Sequence, residues 1–201
     1  MRLVCLDLEG VLVPEIWIAF SKATGIAELV RTTRDEPDYD KLMAWRLSIL
    51  DREGMKLPDI QKVIAGMDVL PGAIDFVQAL RERTQLVILS DTFSQFASPL
   101  MEKLGYPTLF CNSLEIADDG RISGWKLRQK DGKRRAVEAF KSINMTVFAA
   151  GDSYNDLSMI QTADAGALFH APDSIKAAQP AVPAVESYED LLSLVDRFLE
   201  P

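Results

Sequence analysis

Five short apolar runs, each lying near an amphipathic stretch of helical length, constrain this chain more than any other feature. Arg2–Asp7, Gln85–Ser90, Thr108–Cys111, Met145–Ala150 and Ala165–Phe169 are rich in Val, Leu, Ile, Ala and Phe, without strict polar alternation. Such runs read as strands buried on both faces, and strands of that kind need helices to cover them. Helical periodicity follows at Gly72–Arg83, with Ile74, Val77 and Leu80 on one face, and at Phe93–Leu104, closed by Gly105. Lys133–Ser142 and Tyr188–Leu199 repeat the pattern. The alternation predicts an α/β fold built on a doubly wound parallel sheet. At 201 residues, with 48% hydrophobic and 26% charged side chains, the chain suffices for one such core and a modest insertion.

Two stretches break the alternation. Between Pro14 and Val69 there are helical runs at Glu15–Ala23, Tyr39–Arg52 and Asp59–Met67 but no convincing strand. A helical cap over 14–69 is therefore expected, inserted after the first strand into a core made of 1–13 and 70–201, with Pro71-Gly72 marking the return. From Leu114 to Leu127 the pattern is that of a polar hairpin turning at Asp119-Gly120, a small flap.

Lys and Arg number 22 against 30 acids, a formal charge of −8, which argues against a nucleic-acid partner while leaving small anions as ligands. Cys5 and Cys111 each fall in an apolar run and read as buried thiols, as in a reducing compartment. The first apolar stretch is broken by Asp7 and Glu9, unlike a signal peptide, and no segment approaches the roughly 18 apolar residues of a membrane span. The expectation is a cytoplasmic protein without a membrane partner; a homodimer is left open.

Four polar signals fall at predicted strand ends. Asp7-Leu-Glu9 closes the first strand; alone it is equally well a solvated strand end. Ser90-Asp91-Thr92 puts a hydroxyl just before a helix start, where free amides make a phosphate cradle, although a plain N-cap looks the same. Lys133, in Asp131-Gly-Lys-Arg-Arg135, is a cation at a helix head, an unfavourable place that hints at an anionic partner. Most informative is Gly151-Asp152-Ser-Tyr-Asn155-Asp156, a Gly-containing turn dense in hard oxygen ligands of the kind that suit Mg²⁺. His170, without His or Cys at ligand spacing, gives no support for zinc.

Taken in order, Asp7-Leu-Glu9-Gly-Val11, Ser90, Lys133 and Gly-Asp152-Ser-Tyr-Asn155-Asp156 resemble the four motifs of the haloacid dehalogenase superfamily. With Glu15, Arg46-Leu-Ser-Ile-Leu50, Ser90-Asp-Thr-Phe93 and Asn155-Asp-Leu-Ser-Met159, the chain is similar to the phosphoserine phosphatase family. The resemblance implies a Rossmann-like core and phosphoryl transfer through an aspartyl phosphate on Asp7, with Glu9 as acid and base. It implies Mg²⁺ held by Asp7, Asp152 and the Glu9 backbone carbonyl. Ser90, the Asp91 amide, Lys133 and Asn155 would hold the phosphoryl group, and Glu15 and Arg46 would take the ammonium and carboxylate of a small phosphorylated amino acid.

Two positions depart from the family pattern. Glu9 stands where Asp is usual, and Asp91-Thr92 where two glycines are usual. The first is similar to the branch that transfers the phosphoryl group from phosphoserine to homoserine as well as to water. Competing expectations are a phosphatase for another small ester and a receiver-like phospho-accepting module, which would switch and not turn over. No GxGxxG follows the first strand and no GxxxxGK[ST] occurs, so neither a dinucleotide oxidoreductase nor a P-loop NTPase is supported.

Overall fold

The computed structural model describes residues 1–32, 35–36 and 38–200. Its strands are β1 (Arg2–Leu6), β2 (Gln85–Phe93), β3 (Thr108–Ile116), β4 (Ile122–Lys126), β5 (Thr146–Gly151), β6 (Ala165–Phe169) and β7 (Ala184–Val185). They form one sheet in the order β4-β3-β2-β1-β5-β6-β7, parallel throughout except for the β3–β4 pair. The helices are α1 (Ile16–Thr24), α2 (Tyr39–Arg52), α3 (Leu57–Ala65), α4 (Ala73–Arg83), α5 (Ser94–Lys103), α6 (Gly132–Ser142), α7 (Leu157–Thr162), α8 (Asp173–Ala178) and α9 (Tyr188–Leu199).

Successive residues of β1 point to opposite faces, and both faces are covered. Val4 and Leu6 join the apolar cluster of Phe76, Leu80, Phe96, Leu100 and Val195, supplied by α4, α5 and α9. Leu3 and Cys5 join Val137, Met159, Ile160 and Ile175, supplied by α6, α7 and α8. Two-sided burial explains why β1 reads as an unbroken apolar run, each such side chain contributing about 1.5–3 kcal/mol. From β1 the chain winds outward through β2 to β4, then crosses to β5, so the winding reverses between β1 and β5. Ligand crevices of such sheets open at that reversal, beyond the carboxyl ends of the strands.

The insertion is helical, as expected. Phe20, Leu29, Met43, Ile49, Ile60 and Ile64, from α1 to α3 and the 3₁₀ turn Ala27–Val30, are continuous with the cluster on the α5 side of the sheet. The β3–β4 hairpin turns at Asp119-Gly120, where Gly120 has φ +84°, and the Gly120 carbonyl accepts from the Leu57 amide at 2.9 Å. The flap and the inserted helices are thus tied together. Gln61 Nε2 donates to the Gln95 carbonyl at 2.9 Å, tying α3 to α5.

Some details differ from the sequence expectation. Ile74 is half exposed, and the buried face of α4 is Ala73, Phe76, Val77 and Leu80. Ile74 fits the same periodicity but lies outside the buried stripe. The run beginning at Gln85 does not stop at Ser90: β2 continues through Phe93, with a register shift against β3 between Leu89 and Phe93, and α5 starts only at Ser94. Ser90 therefore sits in an irregular strand end and not at a helix N-terminus. The short α8 and the two-residue β7 gave no signal; β7 is held by backbone bonds such as His170 N–H to the Val185 carbonyl at 3.1 Å. Both cysteines are free thiols, Cys5 buried and Cys111 half-buried. Among the described residues, no helix is long and apolar enough to cross a membrane.

Candidate active site

The nine site residues expected from the sequence line one cavity of about 1030 Å³. Asp7, Glu9 and Asp152 come from the loops after β1 and β5, Ser90 and Asp91 from the end of β2, Lys133 from the first turn of α6, and Asn155 from the 3₁₀ turn after β5. Glu15, at the N-cap of α1, and Arg46, on α2, are contributed to the same cavity by the inserted helices.

Two glycines make room for the site's carboxylates, Gly10 where the β1 and β5 loops meet and Gly151 within the β5 turn. Gly10 has φ +76°, which a side chain would strain, and a Cβ there would overlap the Asp152 carboxylate. A Cβ on Gly151 would overlap the Asp156 carboxylate. The Asp7 amide donates to the Ala150 carbonyl at 3.0 Å, and its Oδ1 accepts from the Leu8 amide at 2.7 Å. One carboxylate oxygen from each of Asp7, Asp152 and Asp156 lies within 4.8 Å of the others.

Lys133 stands at the centre of this acidic floor. Its Nζ is 2.7 Å from Asp156 Oδ1, 2.9 Å from Asp7 Oδ1 and 3.7 Å from Asp91 Oδ2. Burial opposes its charge, but Asp156 and Asp7 outweigh burial and hold its pKa well above that of an ordinary lysine. Asp156, absent from the expected roles, is the organiser: wholly buried, it also accepts on Oδ2 from the Asp152 amide (3.1 Å), the Ser153 amide (3.0 Å) and Ser153 Oγ (2.9 Å). Its position four residues after Asp152, in a turn already dense with acids, was the available sequence signal.

Even with Lys133, the floor carries surplus negative charge. Burial, and next Asp156, raise the Asp7 carboxyl well above its ordinary range, with Lys133 pulling the other way. Burial, then Asp156 and Glu15, push Asp152 up to about 7. A cluster of oxygen donors in that condition fits a hard divalent cation, which would relieve the repulsion. Glu9 is pushed up to about 7, chiefly by burial, against the stabilising Ile16 amide that donates to its Oε2 at 2.8 Å. A carboxyl poised there can both give and take a proton near neutral pH.

The part contributed by the inserted helices differs in kind. Arg46 is buried, its guanidinium 4.5 Å from the centre of the Trp17 ring, with Nη2 donating to the Arg31 carbonyl at 2.7 Å. Its Nε has no partner among the described residues. Burial lowers its pKa to about 10, although Tyr39, Glu9 and Glu15 favour the charge. Asn155 is exposed at the cavity rim.

The family model "Hydrolase: haloacid dehalogenase-like hydrolase" matches residues 1–164. Phosphoserine phosphatase ThrH of Pseudomonas aeruginosa is 61% identical over 191 residues, covering 95% of this chain and 93% of that protein. A phosphoserine phosphatase of Pseudomonas syringae pv. tomato is 56% identical, covering 95% and 81%. Among solved structures, one described as a phospho-aspartyl intermediate analogue of phosphoserine phosphatase superposes with a TM-score of 0.77 at 20% identity, covering 96% and 97%. The chain belongs to the haloacid dehalogenase-like hydrolases and, within them, to the phosphoserine phosphatase family.

Proposed function

We propose that this enzyme takes the phosphoryl group of phosphoserine onto Asp7 and passes it to water and to homoserine, with Mg²⁺ as cofactor. The observation that carries this reading is the pairing, across one cavity, of Asp7 within 2.9 Å of the Lys133 ammonium and a buried Arg46 whose Nε lacks a partner among the described residues. One end suits a phosphoryl group and the other a carboxylate. Residues 14–69 act as the cap of a core made of 1–13 and 70–201.

In this reading Arg46 binds the substrate carboxylate and Glu15 its ammonium, which leaves the phosphoryl group facing Asp7. Lys133 and Ser90, with the Asp91 amide and Asn155, hold the non-bridging oxygens. Asp7 Oδ attacks phosphorus as the bond to the serine oxygen breaks, and Glu9 gives that oxygen its proton. Glu9 then takes a proton from the incoming hydroxyl, which attacks phosphorus and frees Asp7. Asp7, Asp152 and the Glu9 backbone carbonyl would hold Mg²⁺, which supplies charge neutralisation and a fixed orientation for the phosphoryl group.

Homoserine as acceptor is supported by Glu9, one methylene longer than the usual Asp, and by a cavity roomier than a small phosphorylated amino acid requires. Both alcohols present the same zwitterionic head to Arg46 and Glu15. Supplying phosphoserine and Mg²⁺ with rising homoserine tests the reading: phosphohomoserine should accumulate at the expense of free phosphate. If phosphate release is unchanged at millimolar homoserine, hydrolysis alone remains; if phosphoserine releases nothing, the donor is another ester.

A further inference from the structure

We infer that the Asp91 side chain is an internal competitor for the phosphate pocket, weakening the hold on free phosphate so that product leaves. This rests on the reading above that Lys133 and Ser90 cradle the phosphoryl group. The Asp91 carboxylate, half exposed, reaches 3.7 Å from Lys133 Nζ while its neighbours Ser90 and Thr92 are buried. Its backbone is not free to turn away. Asn112 Nδ2 donates to the Asp91 carbonyl at 2.9 Å, and Asn112 Oδ1 accepts from the Arg128 amide at 2.9 Å, fastening the irregular end of β2 to β3 and to the segment before α6. The Thr92 amide meanwhile donates to Ser90 Oγ at 3.2 Å. The carboxylate is thereby presented to the same ammonium that would hold phosphate.

Lys133 already answers Asp7 and Asp156 at shorter distances, so a third carboxylate adds little to holding it. Its main effect falls on an arriving anion, which must share the cation and face a like charge across a short gap. In a half-exposed setting such a repulsion changes anion affinity by about tenfold. It acts on any phosphate in the pocket but bears most on the product: a phosphate ester is also held through its amino-acid head, whereas free phosphate has no other grip. A neutral residue at this position would hold the product about tenfold more tightly.

The test compares inorganic phosphate binding to the Mg²⁺-loaded wild type, Asp91→Asn and Asp91→Gly, followed by ³¹P NMR titration. The expected result is about tenfold tighter phosphate binding in both variants, with the gap narrowing as ionic strength rises. Equal or weaker binding in the variants overturns the inference, as does a gap indifferent to salt, which would mark a change of shape and not of charge. Two variants guard against one that fails to fold. Phosphoserine turnover by the wild type, assayed separately, tells whether the underlying reading stands, because the binding comparison needs no turnover.

Discussion

At the floor of the cavity both oxygens of Asp156 are bonded and Lys133 is shared among three carboxylates; at the roof Arg46 keeps an Nε without a partner among the described residues, and Glu15 is exposed. The floor is assembled from loops after central strands and is over-determined: moving one group leaves another buried charge uncompensated. The roof, carried by the inserted helices, keeps a donor without a partner among the described residues. Chemistry that never changes can be fixed in advance, whereas recognition of a particular head group needs donors left over. Damage to the floor should therefore destroy activity on every substrate and often stability, and damage to the roof should be selective.

The largest effect is expected from Asp7→Asn, which cannot form an acyl phosphate. Turnover should fall by at least about 10³-fold on phosphoserine and on an aryl phosphate alike. Residual activity within tenfold of wild type would remove Asp7 from the role of nucleophile. Stripping divalent cations with EDTA should abolish turnover on both substrates equally, with recovery on adding Mg²⁺. Next comes Lys133→Met, which leaves Asp7 and Asp156 facing each other buried. About 3–5 kcal/mol of stability should be lost. At a rough 2–4 °C per kcal/mol, a melting point lowered by less than about 5 °C would contradict an over-determined floor.

Arg46→Ala should act the other way. Its kcat/KM on phosphoserine should fall by about 10²-fold, while an aryl phosphate, lacking a carboxylate, loses no more than about threefold. Equal losses on both would erase the contrast between the two ends. The smallest effect is assigned to Glu9→Asp, which withdraws the carboxyl by one methylene. The ratio of phosphohomoserine to phosphate should move toward phosphate by roughly threefold, read by product analysis at fixed homoserine.

The floor was largely legible in the sequence because its residues follow apolar strands, and strand ends are found from hydropathy alone. Asp7, Lys133 and Asp152 were each placed at the right end of the right element, whereas Ser90 lies three residues inside β2. Asp156 was visible but silent, since its role depends on a lysine 23 residues earlier in the chain, a relation that no local pattern carries. Ile74 was misread because periodicity gives the angle of a stripe but not its width. The extension of β2 past Ser90 follows from pairing with β3, a long-range contact invisible at Asp91 and Thr92. At the roof, Arg46 and Glu15 came into view through resemblance alone; nothing in local spacing said that α2 would turn Arg46 inward over Trp17.

The place of β1 in the sheet bears on how the chain comes to life on the ribosome. Its partners on both edges lie far downstream: Leu3 pairs with Gln85 and Arg2 with Thr146. At 5–20 residues per second, the second flank arrives on the order of ten seconds after the first strand has been made. Until β2 has been made neither edge of this apolar strand is covered, and until β5 has been made one edge stays open. Nascent chains halted before residue 85 should therefore bind holding chaperones through residues 2–8 more strongly than chains halted between residues 94 and 145. Asp7, directly after β1, would be made long before Lys133, Asp152 and Asp156, which surround it.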